Sequence, residues 1–269
     1  MGNLKTPISY YGGKQNLVEM ILPMMPKHIQ YVEPFCGGAT LFWKKRKSEH
    51  EAINDYDLRV SNFWFVLKTD FERLQFLIQN TLHSEYEHQK AKDILNNPIE
   101  DKVLFAWAFW VQTTMSFSNK IFAGFAFSNE RAQSKTTRAK RETFNLHLYE
   151  RIKDAEIFNR DAIELIKAKD SENTFIYLDP PYAESNCGHY EDKKEVYYRL
   201  LDLLPTLKCK WLMSSYPSEQ LTKLRLENNW NFKDIQQSLG VSGKHNTGKM
   251  KTECLTWNYE YEGQTIELF

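Results

Sequence analysis

Four segments of this chain share one shape: a short apolar run that reads as a strand, stopped by a turn rich in acids, glycines or prolines. They are "IQYVEPFCGG" (Ile29 to Gly38), "HEAINDYD" (His50 to Asp57), "NTFIYLDPPY" (Asn173 to Tyr182) and "CKWLMSSYP" (Cys209 to Pro217). Prolines end strands because they cannot donate to a ladder. Between these runs lie stretches with helical apolar spacing, such as "SNFWFVLKTDFERLQFLIQN" (Ser61 to Asn80) and "DKVLFAWAFWVQTTMSF" (Asp101 to Phe117). Strands alternating with helices predict an α/β fold with a mostly parallel sheet. In such sheets ligands bind beyond the carboxyl ends of the strands, which is where the chemistry-bearing residues of all four segments fall. "ATLFWKKRK" (Ala39 to Lys47) reads as a helix, and "KTECLTWNYEY" (Lys251 to Tyr261) as a late alternating strand.

The chain has 269 residues and a formal net charge of zero, so it announces no polyanion partner globally, although local basic patches can bind one. Two such patches stand out. Arg131 to Arg151 holds six Lys or Arg against two Glu, a local charge of 6 − 2 = +4, and "GVSGKHNTGKMK" (Gly240 to Lys251) holds Lys244, Lys249 and Lys251 with no acid. Arg131, Lys135, Arg138, Lys140, Arg141, Lys244, Lys249 and Lys251 are the candidate phosphate contacts; the plainer reading of each is a solvated surface. "KKRK" (Lys44 to Lys47) has a second plain reading, as cations complementing a helix C-terminus. Aromatic residues make up 14% of the chain, a content that suits either a ligand surface or an aromatic-rich core. Cys36, Cys187, Cys209 and Cys254 show no CxxC pairing. The expectation is reduced thiols in a cytoplasmic protein, with no metal site, no disulfide framework, no membrane span and no secretory leader.

The turn at "EPFCGG" lets a ligand approach the backbone. Glu33 precedes it and no Lys-Ser/Thr follows, so it is not a phosphate-gripping loop; it suits a ligand bearing positive charge or donors, and its plainer reading is an ordinary strand-to-helix turn. Asp55 ends the second strand 17 residues after Gly38, close to the ~20-residue offset at which an acid meets ribose hydroxyls. Asp57 has a competing role as a helix N-cap. In "DPPY", Asp179 can accept hydrogen bonds from an amine, the Asp179 and Pro180 carbonyls stay available because prolines follow them, and Tyr182 offers a face for a planar base. Together these residue types form a socket for an exocyclic amine on an aromatic ring.

"SYYGGK", "EPFCGG", "NDYD" and "DPPY", in this order, resemble the D12 class of DNA adenine-N6 methyltransferases, with "KTECLTWNY" similar to that family's closing strand. The resemblance implies a doubly wound, mostly parallel Rossmann-like sheet with an inserted, mainly helical target-recognition domain. Residues 1–67 and 152–269 would form the catalytic domain and residues 68–151 the inserted one. The methyl donor would be S-adenosylmethionine, leaving as S-adenosylhomocysteine, and the partner double-stranded DNA; a companion restriction endonuclease is compatible with the family. Tyr10, Tyr11, Gly12, Gly13 and Lys14 would line the cofactor, and Tyr10 stands where the family often has Trp. Glu33, Pro34, Phe35, Cys36, Gly37 and Gly38 would form the cofactor loop, Asp55 would bind the ribose, and Asp161 and Ala162 of "NRDA" would meet the cofactor adenine. Asp179, Pro180, Pro181 and Tyr182 would hold the target base, with Asp179 also close to the cofactor. "AFWVQTTMSFSNKIFAGF" departs from the family's Asn-Arg-rich pattern, so the resemblance says nothing about the DNA site recognised.

Three rival readings use the same residues differently. An N4-cytosine methyltransferase also acts on an exocyclic amine, but would favour Ser in place of Asp179. A non-catalytic nucleic-acid-binding module would not need the intact motifs. A nicotinamide-binding fold would show GxGxxG. Beyond Tyr182, "AESNCGHYED" (Ala183 to Asp192) reads as a loop near the target base.

Overall fold

A computed structural model describes residues 4–9, 15–128, 132–181, 190–238 and 250–261. Its strands are β1 (Gln30–Glu33), β2 (His50–Asn54), β3 (Glu156–Phe158), β4 (Thr174–Leu178), β5 (Lys210–Ser215), β6 (Asn231–Ser238) and β7 (Met250–Trp257). Its helices are α1 (Gln15–Ile21), α2 (Thr40–Lys44), α3 (Leu58–Thr69), α4 (Phe71–Gln79), α5 (Glu85–Asn96), α6 (Lys102–Met115), α7 (Gln133–Thr143), α8 (Leu146–Ile152), α9 (Ala162–Lys169), α10 (Tyr190–Leu203) and α11 (Glu219–Glu227). The chain divides into two compact units, one of residues 1–22 and 36–160, the other of residues 23–35 and 161–269.

In the first unit β2 and β3 pair in parallel, Ala52 opposite Glu156 and Asn54 opposite Phe158. Among the described residues the other named elements of this unit are helices. Asp57 caps α3 by accepting from Arg59 N (2.9 Å), and Asp101 caps α6 by accepting from Val103 N (3.0 Å) and Leu104 N (3.1 Å), each relieving helix N–H groups that lack an internal partner. The apolar run of Asp101 to Phe117 is indeed a buried helix, α6. Its Phe109 meets Phe63 of α3 at 5.9 Å between ring centres, and Trp64 of α3 meets Trp43 of α2 at 5.7 Å. Much of the aromatic content is therefore core packing, while Tyr56, Phe117 and Phe127 stay exposed.

Some expectations about this unit need correction. The helix expected over Ala39 to Lys47 stops at Lys44, because Lys45 turns extended (φ −71°, ψ 161°). Lys45 then buries its ammonium against Glu51, with further bonds to Ser48 Oγ (2.8 Å) and the Arg46 carbonyl (2.9 Å). Arg151, counted above in a basic patch, is buried on the same acid. It donates from both terminal nitrogens to Glu51 and from Nη2 to the Phe42 carbonyl (2.6 Å), its guanidinium lying 3.7 Å from the Phe42 ring centre. Burial opposes ionisation of Glu51, but the Arg151 hydrogen bonds and the Lys45 charge outweigh it and hold the carboxyl below the usual range. Gln133 to Thr143, inside the segment expected to be mainly helical, forms α7 without apolar periodicity; its only buried residue is Thr137. Ser61 to Asn80 is two helices, broken at Asp70 (φ −144°, ψ 52°).

In the second unit the strands run β1-β4-β5-β7-β6. β1, β4 and β5 are parallel, in register at Val32–Ile176 and Leu178–Met213; β7 is antiparallel to β5, and β6 to β7. All five residues of β4 are buried, as expected of a parallel strand covered on both faces. The expected late strand is β7. The thiols of Cys36, in the first unit, and of Cys209 and Cys254, in the second, are buried, and burial raises the pKa of the last two. The fold is thus α/β and mostly parallel. Among the described residues no helix is long and apolar enough to cross a membrane, and no cluster of three or more His, Cys, Asp or Glu is placed to hold a metal.

Candidate active site

The candidate site residues divide between the two units. In the first, the chain leaves Cys36 through a turn that Gly37 permits, with φ at 44°, a region open to glycine without penalty. Ala39 follows at φ 50°, where a side chain costs about 1 kcal/mol. The turn closes on itself through Ala39 N, which donates to the Cys36 carbonyl (2.5 Å), and four further hydrogen bonds fix it. Cys36 N donates to the Asn54 carbonyl (2.9 Å), Gly37 N to Asp55 Oδ2 (2.8 Å), Trp64 Nε1 to the Gly37 carbonyl (3.1 Å) and Thr6 Oγ1 to the Gly38 carbonyl (2.6 Å).

Asp55 also accepts from Asp57 N through Oδ1 (2.9 Å), so each carboxylate oxygen holds one backbone N–H. Burial nevertheless dominates and pushes its pKa up to about 6, with the neighbouring Asp57 charge adding to the rise; the two N–H groups only moderate it. Asp57 does cap α3, and so takes the plainer of the roles weighed for "NDYD". Two residues that sequence reasoning passed over fix this loop to "NRDA". Asn159 Nδ2 donates to the carbonyls of Asp55 (2.8 Å) and Tyr56 (3.0 Å), and Asn54 exchanges two hydrogen bonds with the Arg160 backbone (3.0 and 3.1 Å). The signal was present as asparagines in both motifs, but their partner is over a hundred residues away.

In the second unit Glu33 is buried at the end of β1 and accepts a hydrogen bond from the Tyr31 phenol; Pro34 is buried and Phe35 half-buried. Asp161 is the N-cap of α9. Its Oδ1 accepts from Ile163 N (2.8 Å) and Glu164 N (3.1 Å), and its Oδ2 from Arg199 Nη1 (2.9 Å). Burial opposes its ionisation, but these N–H groups and the Arg199 charge prevail and lower its pKa. Ala162 is buried in the first turn of the same helix.

Asp179 is half-buried just past β4, followed by the buried Pro180 and the half-buried Pro181. Ser214 Oγ, from β5, donates to Asp179 Oδ1 (3.1 Å), and the Tyr177 hydroxyl lies 3.1 Å from Ser214 Oγ. The prolines after Asp179 stop the strand as expected, and the acid is anchored by the neighbouring strand.

Of the basic candidates, Lys135 and Arg138 are exposed on α7, and Arg138 lies 3.7 Å from Glu142. Lys140 is half-buried, and burial together with the Lys5 charge lowers its pKa. Arg141 donates to the carbonyls of Thr81 (2.9 Å) and Gln79 (3.4 Å) at the end of α4. Lys251 lies in β7. Tyr10, Tyr11, Gly12, Gly13, Lys14, Arg131, Tyr182, Lys244 and Lys249 lie outside the described residues, as do 183–189 of the expected loop; its last residues, 190–192, open α10 instead.

Comparison with known proteins points the same way. A family model described as D12 class N6 adenine-specific DNA methyltransferase matches residues 10–240. The chain is 24% identical to modification methylase StsI of Streptococcus sanguinis over 287 residues, covering 96% of this chain and 43% of StsI. It is 25% identical to type II methyltransferase M.FokI of Planomicrobium okeanokoites over 291 residues, covering 95% and 43%. With type II methyltransferase M1.LlaDCHI of Lactococcus lactis subsp. cremoris it shares 24% identity, covering 96% of both chains. It thus spans less than half the length of the first two and nearly all of the third. The solved structure of HI0767 from Haemophilus influenzae aligns over 96% of this chain at 12% identity with a TM-score of 0.37, too slight a likeness to bear on the fold.

Proposed function

The chain belongs to the D12 class N6 adenine-specific DNA methyltransferase family, and from that premise we propose that it methylates the exocyclic N6 amine of adenine in double-stranded DNA. The observation that carries the reading is Asp179: a carboxylate at the mouth of β4, followed by two prolines and held through one oxygen by Ser214. A carboxylate there accepts an amine proton, and the Pro180 carbonyl accepts the second. Together they draw the nitrogen lone pair out of the ring and direct it outward. The target base must first leave the duplex, at a cost of a few kcal/mol, part of which Tyr182 would return by stacking, about 1–3 kcal/mol per base.

S-adenosylmethionine, when bound, supplies the electrophilic methyl group. The donor set suits it: Glu33 and Asp55 are acids at strand ends, fitted to a cationic, hydroxyl-bearing ligand and unfitted to a phosphate. We assign Asp55 to the ribose hydroxyls and the turn from Glu33 to Gly38 to the cofactor's approach, with Tyr10 to Lys14, Asp161 and Ala162 as its further contacts. The reaction needs no covalent enzyme intermediate. Residues 68–151 would be the target-recognition domain, with Lys135 and Arg138 the exposed ones among the phosphate candidates whose side chains are described. A companion restriction endonuclease and a cytoplasmic location belong to the same proposal.

Incubating purified protein with DNA and isotope-labelled S-adenosylmethionine, then identifying the modified base by mass, tests it. The expected product is N6-methyladenine. N4-methylcytosine would move the protein to the rival reaction, and an unlabelled DNA would sink both. Sequencing the modified positions gives the recognition site from the same sample.

Asp55 supplies a pH test. Its pKa of about 6 lies above the ordinary carboxylate value, so the proton is held in the free protein as pH falls through 6. Ribose hydroxyls donate to the ionised form. Cofactor affinity should therefore be flat above pH 7 and fall by about tenfold per pH unit well below 6. Titration calorimetry should detect proton release on binding near pH 5.5, and Asp55→Asn should bind more weakly with no pH dependence in this window. A parent affinity that stays level from pH 5 to 8 would remove Asp55 from the ribose.

A further inference from the structure

We propose that Ser214 and Tyr177 are positioning residues for the acceptor amine: a one-way hydrogen-bond chain, Tyr177 to Ser214 to Asp179, fixes the plane of the carboxylate that receives it. This rests on the transfer reaction proposed above and adds two residues that lie outside the family motif.

The direction of the chain follows from proton counting. Ser214 has one hydroxyl proton and gives it to Asp179 Oδ1 (3.1 Å), since a carboxylate can only accept. The contact between Tyr177 and Ser214 (3.1 Å) must then carry the phenol proton toward serine. Tyr177 is well suited to remain the donor. Burial, and after it the charge of Asp179, raises its pKa, and Glu33 from β1 and Glu253 from β7 act in the same sense. The register explains how the three meet. Leu178 pairs with Met213, which sets Ser214 beside Asp179, while Tyr177 and Asp179, two residues apart, share one side of the strand.

The terminal torsion of a carboxylate is broad, so one held oxygen decides where the other points. Misplacing a reacting group by ~1 Å can cost about a hundredfold in rate. Packing alone has no use for a hydroxyl at 214, a fully buried position flanked by Met213. Its neighbour Ser215 is buried too, but pairs with Cys254 (3.5 Å between Oγ and Sγ) and serves as an internal control.

The test compares the parent with Ser214→Ala, Tyr177→Phe, the double variant and Ser215→Ala. Three readouts apply: single-turnover methylation, calorimetric cofactor binding, and carboxyl-carbon NMR titration of Asp179 assigned through Asp179→Asn. Losing a hydrogen bond to a charged group predicts a rate about 10- to 100-fold lower for Ser214→Ala, with cofactor Kd within about twofold. Tyr177→Phe should lose about 3- to 10-fold, and the double variant no more than Ser214→Ala, because the phenol acts only through the serine. Ser215→Ala should keep its rate within about threefold. The Asp179 titration should move to higher pH in both Ser214→Ala and Tyr177→Phe. A parental rate in Ser214→Ala, a double loss equal to the product of the single losses, or an unmoved Asp179 titration overturns the chain. If Ser214→Ala does not fold, the titration in Tyr177→Phe decides by the same criterion. The titration needs no turnover, so an inactive parent would count against the transfer reaction and leave the hydrogen-bond chain to be judged by NMR.

Discussion

Asp179→Ala should transfer no methyl group to DNA above background, a loss of at least about a thousandfold, while melting within a few degrees of the parent. The carboxylate is half-buried and accepts from Ser214, so its removal leaves that buried hydroxyl to find another acceptor, at about 1 kcal/mol. That is small for a fold of this size and large for a reaction that depends on one acceptor. Asp179→Asn should be nearly as inactive. An amide has one acceptor oxygen and a donor nitrogen; if the oxygen takes the Ser214 proton, N–H faces N–H at the amine. Calorimetry separates the two steps, since cofactor binding should survive both changes better than transfer does. Normal methylation by either variant would remove Asp179 from the chemistry.

The largest effect on stability should come from Arg151→Ala. Arg151 and Lys45 enclose Glu51 in the interior of the first unit, and Arg151 also holds the Phe42 carbonyl. Removing one member of a buried ion cluster strands the opposite charge and costs about 3–5 kcal/mol, worth roughly 10 °C in melting temperature at this chain length. The effect should depend on pH with a definite sign. The Glu51 pKa is depressed in the fold, so its stabilisation is present above the unfolded carboxylate pKa and is lost as pH falls through the lower folded value. The gap between parent and Arg151→Ala in denaturant unfolding should therefore narrow in acid. Equal midpoints at neutral pH would show that the cluster is not holding the unit together.

The parts of the fold legible from sequence were those whose signal is local. β1, β2, β4 and β5 announce themselves as apolar, β-branched or aromatic runs stopped by glycine or proline, and α6 as an unbroken apolar stretch. β3 has three residues, none buried, too few for any period. β6, "NFKDIQQS", is polar because it ends the row of strands in its unit, where charged side chains protect an open edge. α7 carries its helix with scarcely a buried face, so no apolar stripe marked it. Charge counting fared worst at Arg151 and Lys45, whose shared acid is a hundred residues from one of them. The candidate site divides in the same way. Its acids lie within short motifs and could be picked out directly. The residues that orient them, Asn54, Asn159, Ser214 and Tyr177, act across strands, and their part depends on a register that no single segment contains.

The buried cysteines have a practical consequence. A thiol without solvent reacts with a disulfide reagent only when the structure around it opens, so each one works as a clock for its own surroundings. Cys36 times the glycine turn of the first unit, while in the second Cys209 times the entry to β5 and Cys254 the part of β7 that pairs with the far end of β5, at Ser215. Mass-resolved labelling could then follow, without any added probe, which unit loosens first and whether cofactor slows the clock at Cys36.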